Sequence, residues 1–231
     1  MNVAIVVAAG KGTRLGGNRP KQFLELGGIP VIIHTLRQFE RCPEINEIVI
    51  VLPAGETDAF LSFAHEFGLP KVTRAVAGGE TRAQSVQCGL SVIGEAEIVA
   101  VHDGVRPFVT PDEIGKVVSA ARATGAAILV APVTDTIKQI DRGRVTATLP
   151  RANLGRALTP QCFRLDILRR AYLALSEVEA SAGEVTDDSL LVERLGLDII
   201  AVEGSARNIK ITQAEDLVLA EAILKEMSLV L

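Results

Sequence analysis

Continuous apolar runs alternate along this chain with stretches whose apolar positions recur every three or four residues. The strand candidates are Val3–Val7, Ile48–Leu52, Val72–Val76, Ile98–His102, Ala126–Ala131 and Asp198–Val202. Several lack any polar break, the pattern of strands covered on both faces in a parallel sheet. Helical patterns lie between them. Pro30 takes a first-turn position before a helix over Val31–Arg41. A second helix, Glu56–Phe67, ends before Gly68. Thr110-Pro111-Asp112-Glu113 is a capping box with proline just inside, opening a helix to about Ala123. Thr212-Gln213-Ala214-Glu215 reads as another, opening a helix to about Met227. The alternation predicts an α/β fold: a doubly wound, mostly parallel sheet with ligands at the carboxyl ends of its strands.

One segment breaks the rhythm. Between Thr134 and Thr159 lie two short β-like runs, Thr136–Ile140 and Arg144–Leu149, joined by the turn signal Asp141-Arg142-Gly143. The pattern predicts a hairpin arm over 134–159, inserted in a single domain spanning 1–231. A lone hairpin is marginally stable, so a second subunit is the expected cover, giving a homodimer through the arm.

Composition narrows the function classes. The 231 residues are 48% hydrophobic, enough for one sizeable core. The net charge of −4, without a long block of like charge, speaks against nucleic acid as a partner. Trp is absent and aromatics are 3%, so no base-stacking platform is evident. The early apolar run Val3–Ala9 is too short to span a membrane, and no cationic segment precedes it. Three cysteines, odd in number and far apart, suit a reducing cytoplasm better than a disulfide framework or a C-x-x-C metal site.

Chemistry is densest after the first run. Ala8-Ala9-Gly10-Lys11-Gly12-Thr13-Arg14-Leu15-Gly16-Gly17-Asn18-Arg19-Pro20-Lys21 carries four glycines and four cations, with no acid before Glu25. A strand opening into such a loop suits polyphosphate: glycine lets backbone N–H groups approach phosphate oxygens, and Lys and Arg supply the opposing charge. The loop fails the Walker A spacing, because Gly12 follows Lys11 where Ser or Thr is required. It also fails the dinucleotide fingerprint: Leu15 stands at the third glycine position, and the next good strand ends in Leu52-Pro53 with no acid. An NAD-dependent oxidoreductase is thereby disfavoured. What remains, G-x-G-T-R followed by Pro20-Lys21, resembles the signature of sugar-nucleotide and related nucleotidyltransferases.

Three further clusters stand out. Gly78-Gly79-Glu80-Thr81-Arg82-Ala83-Gln84-Ser85-Val86 reads locally either as a plain turn before a capped helix or as a ligand loop with Ser85 in the first turn. Asp103, in His102-Asp103-Gly104-Val105-Arg106-Pro107, ends a buried strand, where a carboxylate can meet a metal or ribose hydroxyls. Lone strand-end histidines are more often hydrogen-bonded structural residues, so His102 is left out of the candidate site. Lys210, just before the last helix, reads locally either as an exposed lysine or as a phosphate ligand.

Together these motifs resemble, nearly end to end, the 2-C-methyl-D-erythritol 4-phosphate cytidylyltransferase family of non-mevalonate isoprenoid synthesis. The likeness is carried by Ala8-Ala9-Gly10-x-Gly12-x-Arg14, Pro20-Lys21-Gln22-Phe23, Gly78-Gly79-x-x-Arg82-x-x-Ser85-Val86, His102-Asp103-x-x-Arg106-Pro107, Asp135-Thr136-Ile137-Lys138, Leu158-Thr159-Pro160-Gln161, Thr186-Asp187-Asp188 and Asn208-Ile209-Lys210.

The resemblance implies transfer of a cytidylyl group from CTP to a small sugar-alcohol phosphate, with Mg2+ held mainly by the CTP phosphates. Arg14 and Lys21 would hold the triphosphate and stabilise the transition state. Ala8, Ala9, Gly10 and Gly12, with Gly79, Glu80 and Ser85, would form the CTP site and read cytosine. Asp103 would meet ribose or substrate hydroxyls. Arg106 and Thr159 would contact the acceptor, with Lys210 at its phosphate, and Thr136 and Arg151 would reach across a homodimer. The family pattern is often Asp-Ala-Ala-Arg-Pro, whereas here it is Asp103-Gly104-Val105-Arg106-Pro107. Many members also have Asp where Glu80 stands. Two alternatives remain open: the sister ribitol-5-phosphate cytidylyltransferases, which carry similar motifs, and a non-catalytic nucleotide-binding protein.

Overall fold

In the computed structural model, residues 1–10, 21–182 and 185–228 are described. Five apolar runs form the parallel strands β1 (Asn2–Val7), β4 (Glu47–Leu52), β5 (Val72–Ala77), β6 (Ile98–Asp103) and β7 (Ala126–Pro132). Between Leu26 and Pro30 a small antiparallel pair precedes α1 (Val31–Arg41): β2 (Glu25–Leu26) and β3 (Ile29–Pro30). Helices α2 (Thr57–Glu66), α3 (Arg82–Ser91) and α4 (Pro111–Thr124) follow β4, β5 and β6 in turn. The box at Thr110 forms as the sequence predicts: its hydroxyl accepts from the Glu113 N–H while the Glu113 carboxylate accepts from the Thr110 N–H.

The central sheet also contains a strand that the periodicity does not reveal. After the arm strands β8 (Ile137–Asp141) and β9 (Arg144–Leu149), β10 (Gly155–Arg164) runs antiparallel between β7 and β6. Residues 155–159, read from sequence as closing the arm, are thus part of the main sheet, and the hairpin itself occupies 137–149. Three short helices follow: α5 (Leu165–Leu173), α6 (Leu175–Ala182) and α7 (Ser189–Glu193). The chain returns through β11 (Ile200–Glu203), parallel to β7, and ends in α8 (Ala214–Ser228). The sheet order is β11-β7-β10-β6-β1-β4-β5. At α8 the capping acid is Asp216 rather than the expected Glu215; it accepts from the Thr212 N–H and hydroxyl, both at 2.7 Å.

Alternate strand residues feed two cores, as the period of two requires. Ala4, Val6, Ile48, Ile50 and Ala100 face α1, α2 and α4 on one side. Val3, Ile5, Val49, Val51 and Val101 face α3 and the α5–α7 group on the other. A third cluster joins Leu26, Val105 and Ile211 to Ala220 and Ile223 of α8, which seats the Lys210 segment beside the end of β6. Covering both faces leaves the carboxyl ends of β1, β5 and β6 as the place where loops converge.

Candidate active site

The cleft at those strand ends is lined by Val7 to Gly10 from β1, Gly79 to Arg82 and Ser85 around the start of α3, Asp103 and Val105 after β6, with Gln22 and Lys210. Its cavity volume is about 150 Å3. Backbone bonds register its walls: the Ala8 N–H donates to Val51 O (2.7 Å), the Gly78 N–H to Leu52 O (2.8 Å) and the Gly104 N–H to Val7 O (2.8 Å).

Local chemistry shapes the α3 wall. Thr81 caps the helix by accepting from the Gln84 N–H. The Gln84 carboxamide turns back to accept from the Glu80 N–H at 3.1 Å. Ser85 is buried, and its hydroxyl donates to Thr81 O at 2.9 Å. A Cβ on Gly78 would collide with the Ala9 Cβ and sit 2.7 Å from the Ser85 hydroxyl. Glycine is required there by the close approach of the Ala9, Ser85 and Val51 side chains.

Asp103 is the electrostatic centre. Arg82 Nε donates to its Oδ1 at 2.9 Å; Arg106 Nε and Lys210 Nζ donate to its Oδ2 at 3.2 and 3.0 Å. Burial alone would raise the Asp103 pKa. The charges of Arg82, then Lys210 and Arg106, outweigh it and hold the carboxyl well below the usual range. The two arginines respond in opposite senses. Burial depresses Arg106 more than Asp103 restores it, whereas for Arg82 the same burial is overcome by two carboxylates, Asp188 and Asp103, and its pKa rises. Both remain guanidinium ions.

The structure brings Ala8, Ala9, Gly10, Gly79, Glu80, Ser85, Asp103 and Lys210 to one cleft. Arg106 and Thr159 lie behind Asp103. Arg106 is pinned between that carboxylate and Asn208 O (2.9 Å), and the Thr159 hydroxyl accepts from the Asp103 N–H at 3.2 Å. Thr136 and Arg151 are exposed on and beside the arm and line no part of the cleft of their own chain. Gly12 and Arg14 fall outside the described residues, and of Lys21 only the backbone is described, opening a short 3-10 turn, Lys21–Phe23.

Gln22 and Arg82 also line the cleft, and sequence reasoning assigned neither a role. Gln22 is 1% exposed, and its two amide atoms lack partners among the described residues. Its signal was an uncharged polar residue between the loop lysine and an apolar Phe23.

The Ala8–Gly10 backbone, a buried carboxylate and a lysine, converging at the strand ends of a mostly parallel sheet, fit a nucleotidyltransferase class of α/β protein. The sequence profile of 2-C-methyl-D-erythritol 4-phosphate cytidylyltransferase matches residues 2–226. The chain belongs to that family. The enzyme of that name from Geobacter metallireducens is 44% identical over 96% of this chain and 97% of its own length. That from Rubrobacter xylanophilus is 47% identical over 96% and 94%. The crystal structure of 4-diphosphocytidyl-2C-methyl-D-erythritol synthase from Anaerococcus prevotii superposes with a TM-score of 0.81 at 34% identity, covering 97% of this chain and 96% of that one. The Thermus thermophilus cytidylyltransferase gives 0.76 at 32%, covering 96% and 98%.

Proposed function

We propose that this chain transfers the cytidylyl group of CTP to 2-C-methyl-D-erythritol 4-phosphate and releases pyrophosphate. The observation that carries the reading is the convergence of Gly10, Gly79–Arg82, Asp103 and Lys210 from four separate parts of the chain on one cleft, in a member of this family.

The substrate phosphate oxygen attacks the α-phosphorus of CTP in line. A P–O bond forms, the α–β anhydride breaks, and pyrophosphate leaves with the bonding electron pair. The attacking phosphate is already ionised, so no general base is required. The chain supplies position and charge. In this reading the Ala8–Gly10 backbone and the Gly79–Ser85 wall hold the base, while Arg14 and Lys21 face the triphosphate. Lys210 holds the acceptor phosphate, and Arg106 and Thr159 act from behind Asp103. Mg2+, when bound, adds positive charge to the phosphate oxygens. Among the described residues no cluster of three His, Cys, Asp or Glu forms a protein cage. In this reading the metal is held mainly by the phosphates, with Asp103 as the nearby carboxylate. The free thiols of Cys42, Cys88 and Cys162 suit a reducing cytoplasm. No helix among the described residues is long and apolar enough to cross a membrane.

The arm completes the reading. Ile140 and Val145 near its tip are 64% and 63% exposed, and a two-stranded ribbon gains little from itself. A second copy that covers them would bring Thr136 and Arg151 to its cleft. The test is to mix two inactive variants, Lys21→Ala and Arg151→Ala. Shared sites regenerate about a quarter of wild-type activity after subunit exchange. No recovery under exchange overturns the shared site.

The first assay is pyrophosphate release from CTP and Mg2+ with methylerythritol 4-phosphate and ribitol 5-phosphate offered separately. Release with the first alone is expected. Release with ribitol 5-phosphate alone moves the assignment to the sister activity, and release with neither overturns catalysis.

A further inference from the structure

Asp188 lies outside the cleft and is fully buried. The Tyr172 hydroxyl donates to its Oδ1, and Arg82 Nη1 donates to its Oδ2 at 2.9 Å. Its N–H donates to Gln161 Oε1 at 2.9 Å, tying this turn to β10. Although Asp188 precedes α7, its side chain does not cap that helix. Asp187 does so instead, accepting from the Leu190 N–H at 3.1 Å. The Asp188 carboxylate is therefore committed to Tyr172 and Arg82.

Arg82 bridges two carboxylates, one inside the cleft and one outside. Arg82 holds Asp103 through Nε while its Nη1 is held by Asp188, whose charge fixes the plane of the guanidinium. The Asp103 Oδ2 is thereby left to Lys210 and Arg106. Guanidinium and carboxylate groups prefer a two-point fork, and Arg82 Nη2 has no partner among the described residues. Without the Asp188 charge, Arg82 would turn to a forked grip on Asp103 and compete with Lys210 for it. Tyr172 sets the rotation of Asp188. Without its hydroxyl, the fully buried Oδ1 would be left with its bond unmade.

We infer that Asp188 and Tyr172 are positioning residues for the reaction: through Arg82 they orient the Asp103 carboxylate and keep it aligned with Lys210. The inference rests on the reading above, in which Asp103 and Lys210 stand at the reacting centre.

The test is steady-state kinetics of Asp188→Asn, Tyr172→Phe, Asp103→Asn and the double variant Asp103→Asn/Asp188→Asn, each with its Tm. Misalignment at a reacting centre predicts that Asp188→Asn lowers kcat by roughly 10- to 100-fold while KM for CTP stays within about threefold. Tyr172→Phe, which differs only by the hydroxyl, acts in the same direction with a smaller factor and carries the test if Asp188→Asn does not fold. In the Asp103→Asn background, loss of the Asp188 charge is expected to cost less than about twofold more, because the two act through one group. A lower Tm with wild-type kcat would overturn the inference, as would an equal kcat loss in both backgrounds; either makes the cluster a structural ion pair only. Wild-type kcat in Asp103→Asn would overturn the underlying reading instead.

Discussion

The Thr159 hydroxyl donates to Nδ1 of His102 across 2.9 Å, a direction fixed by the other ring nitrogen. Nε2 lies 3.1 Å from Arg106 O, which can only accept, so the neutral ring carries its proton on Nε2 and leaves Nδ1 bare. The Thr159 oxygen also accepts from the Asp103 N–H at 3.2 Å. A neutral imidazole thus joins β10 to both ends of the Asp103–Arg106 turn, which explains a buried histidine with no place in the cleft.

That arrangement gives a pH dependence. Burial pushes the His102 pKa from 6.5 down to about 3. Between those values the unfolded chain binds the proton and the folded chain does not. Stability attributable to His102 is full above 6.5 and falls with acid at up to about 1.4 kcal/mol per pH unit. Asp103, depressed below its ordinary value, keeps its contribution until pH falls below the unfolded carboxylate range. Urea unfolding across this range is expected to show the steeper slope in wild type and a flatter one in His102→Gln. Equal slopes would remove His102 as the cause.

Gly78→Ala places a methyl group against Ala9 and the Ser85 hydroxyl, on the wall proposed to hold the base. It is expected to raise KM for CTP by about tenfold or more, roughly 1.4 kcal/mol of lost binding. Titration with CTP by calorimetry checks this, and unchanged affinity would show that the wall yields freely.

Gly104 is crowded by Ile32, Ala8 and the Val7 carbonyl. A Cβ there would lie 2.8 Å from Ile32 Cδ1 and 3.0 Å from both the Ala8 Cβ and Val7 O. Gly104→Ala is expected to cost about 1–3 kcal/mol by overpacking. In Gly104→Ala/Ile32→Val the total should be less than the sum of the single changes. Denaturant midpoints of the four proteins measure the coupling, and strict additivity would refute the account.

Arg14→Ala and Lys21→Ala are each expected to lower kcat/KM by about two to three orders of magnitude, through loss of charge stabilisation in the transition state, with circular dichroism unchanged. Near-wild-type turnover in either purified variant would remove that residue from the mechanism.

The sheet was legible where strands are buried on both faces. Val3–Val7 and Ile48–Leu52 read as unbroken apolar runs because no side of them meets water. Strand β10 was not legible: Thr159, Pro160 and Gln161 interrupt it, and its buried polar side chains bond to His102, Asp103 and Asp187 instead of breaking the strand. At the cleft, Asp103 and Lys210 could be named from motifs. The Arg82–Asp188 link could not, because it joins residues 106 positions apart and leaves no local pattern. The last helix shows how small the margin is. Thr212 predicts a cap, and moving the acid one place along, to Asp216, satisfies the same two groups.

The insertion of β10 between β6 and β7 also sets an order of events during synthesis. The two strands are joined through α4, yet they do not pair with each other in the finished sheet. Until residues 155–164 emerge, β6 and β7 each offer an open edge, the kind of edge that recruits other chains. A ribosome-bound chain ending before β10 therefore has the Asp103 strand and an exposed edge still to cover, but lacks Thr159 behind that strand. Closure of the edge and arrival of Thr159 behind Asp103 are then one step, placed late by long-range pairing, and the cleft still awaits Lys210. Partly made chains would be prone to stick together while still unable to react.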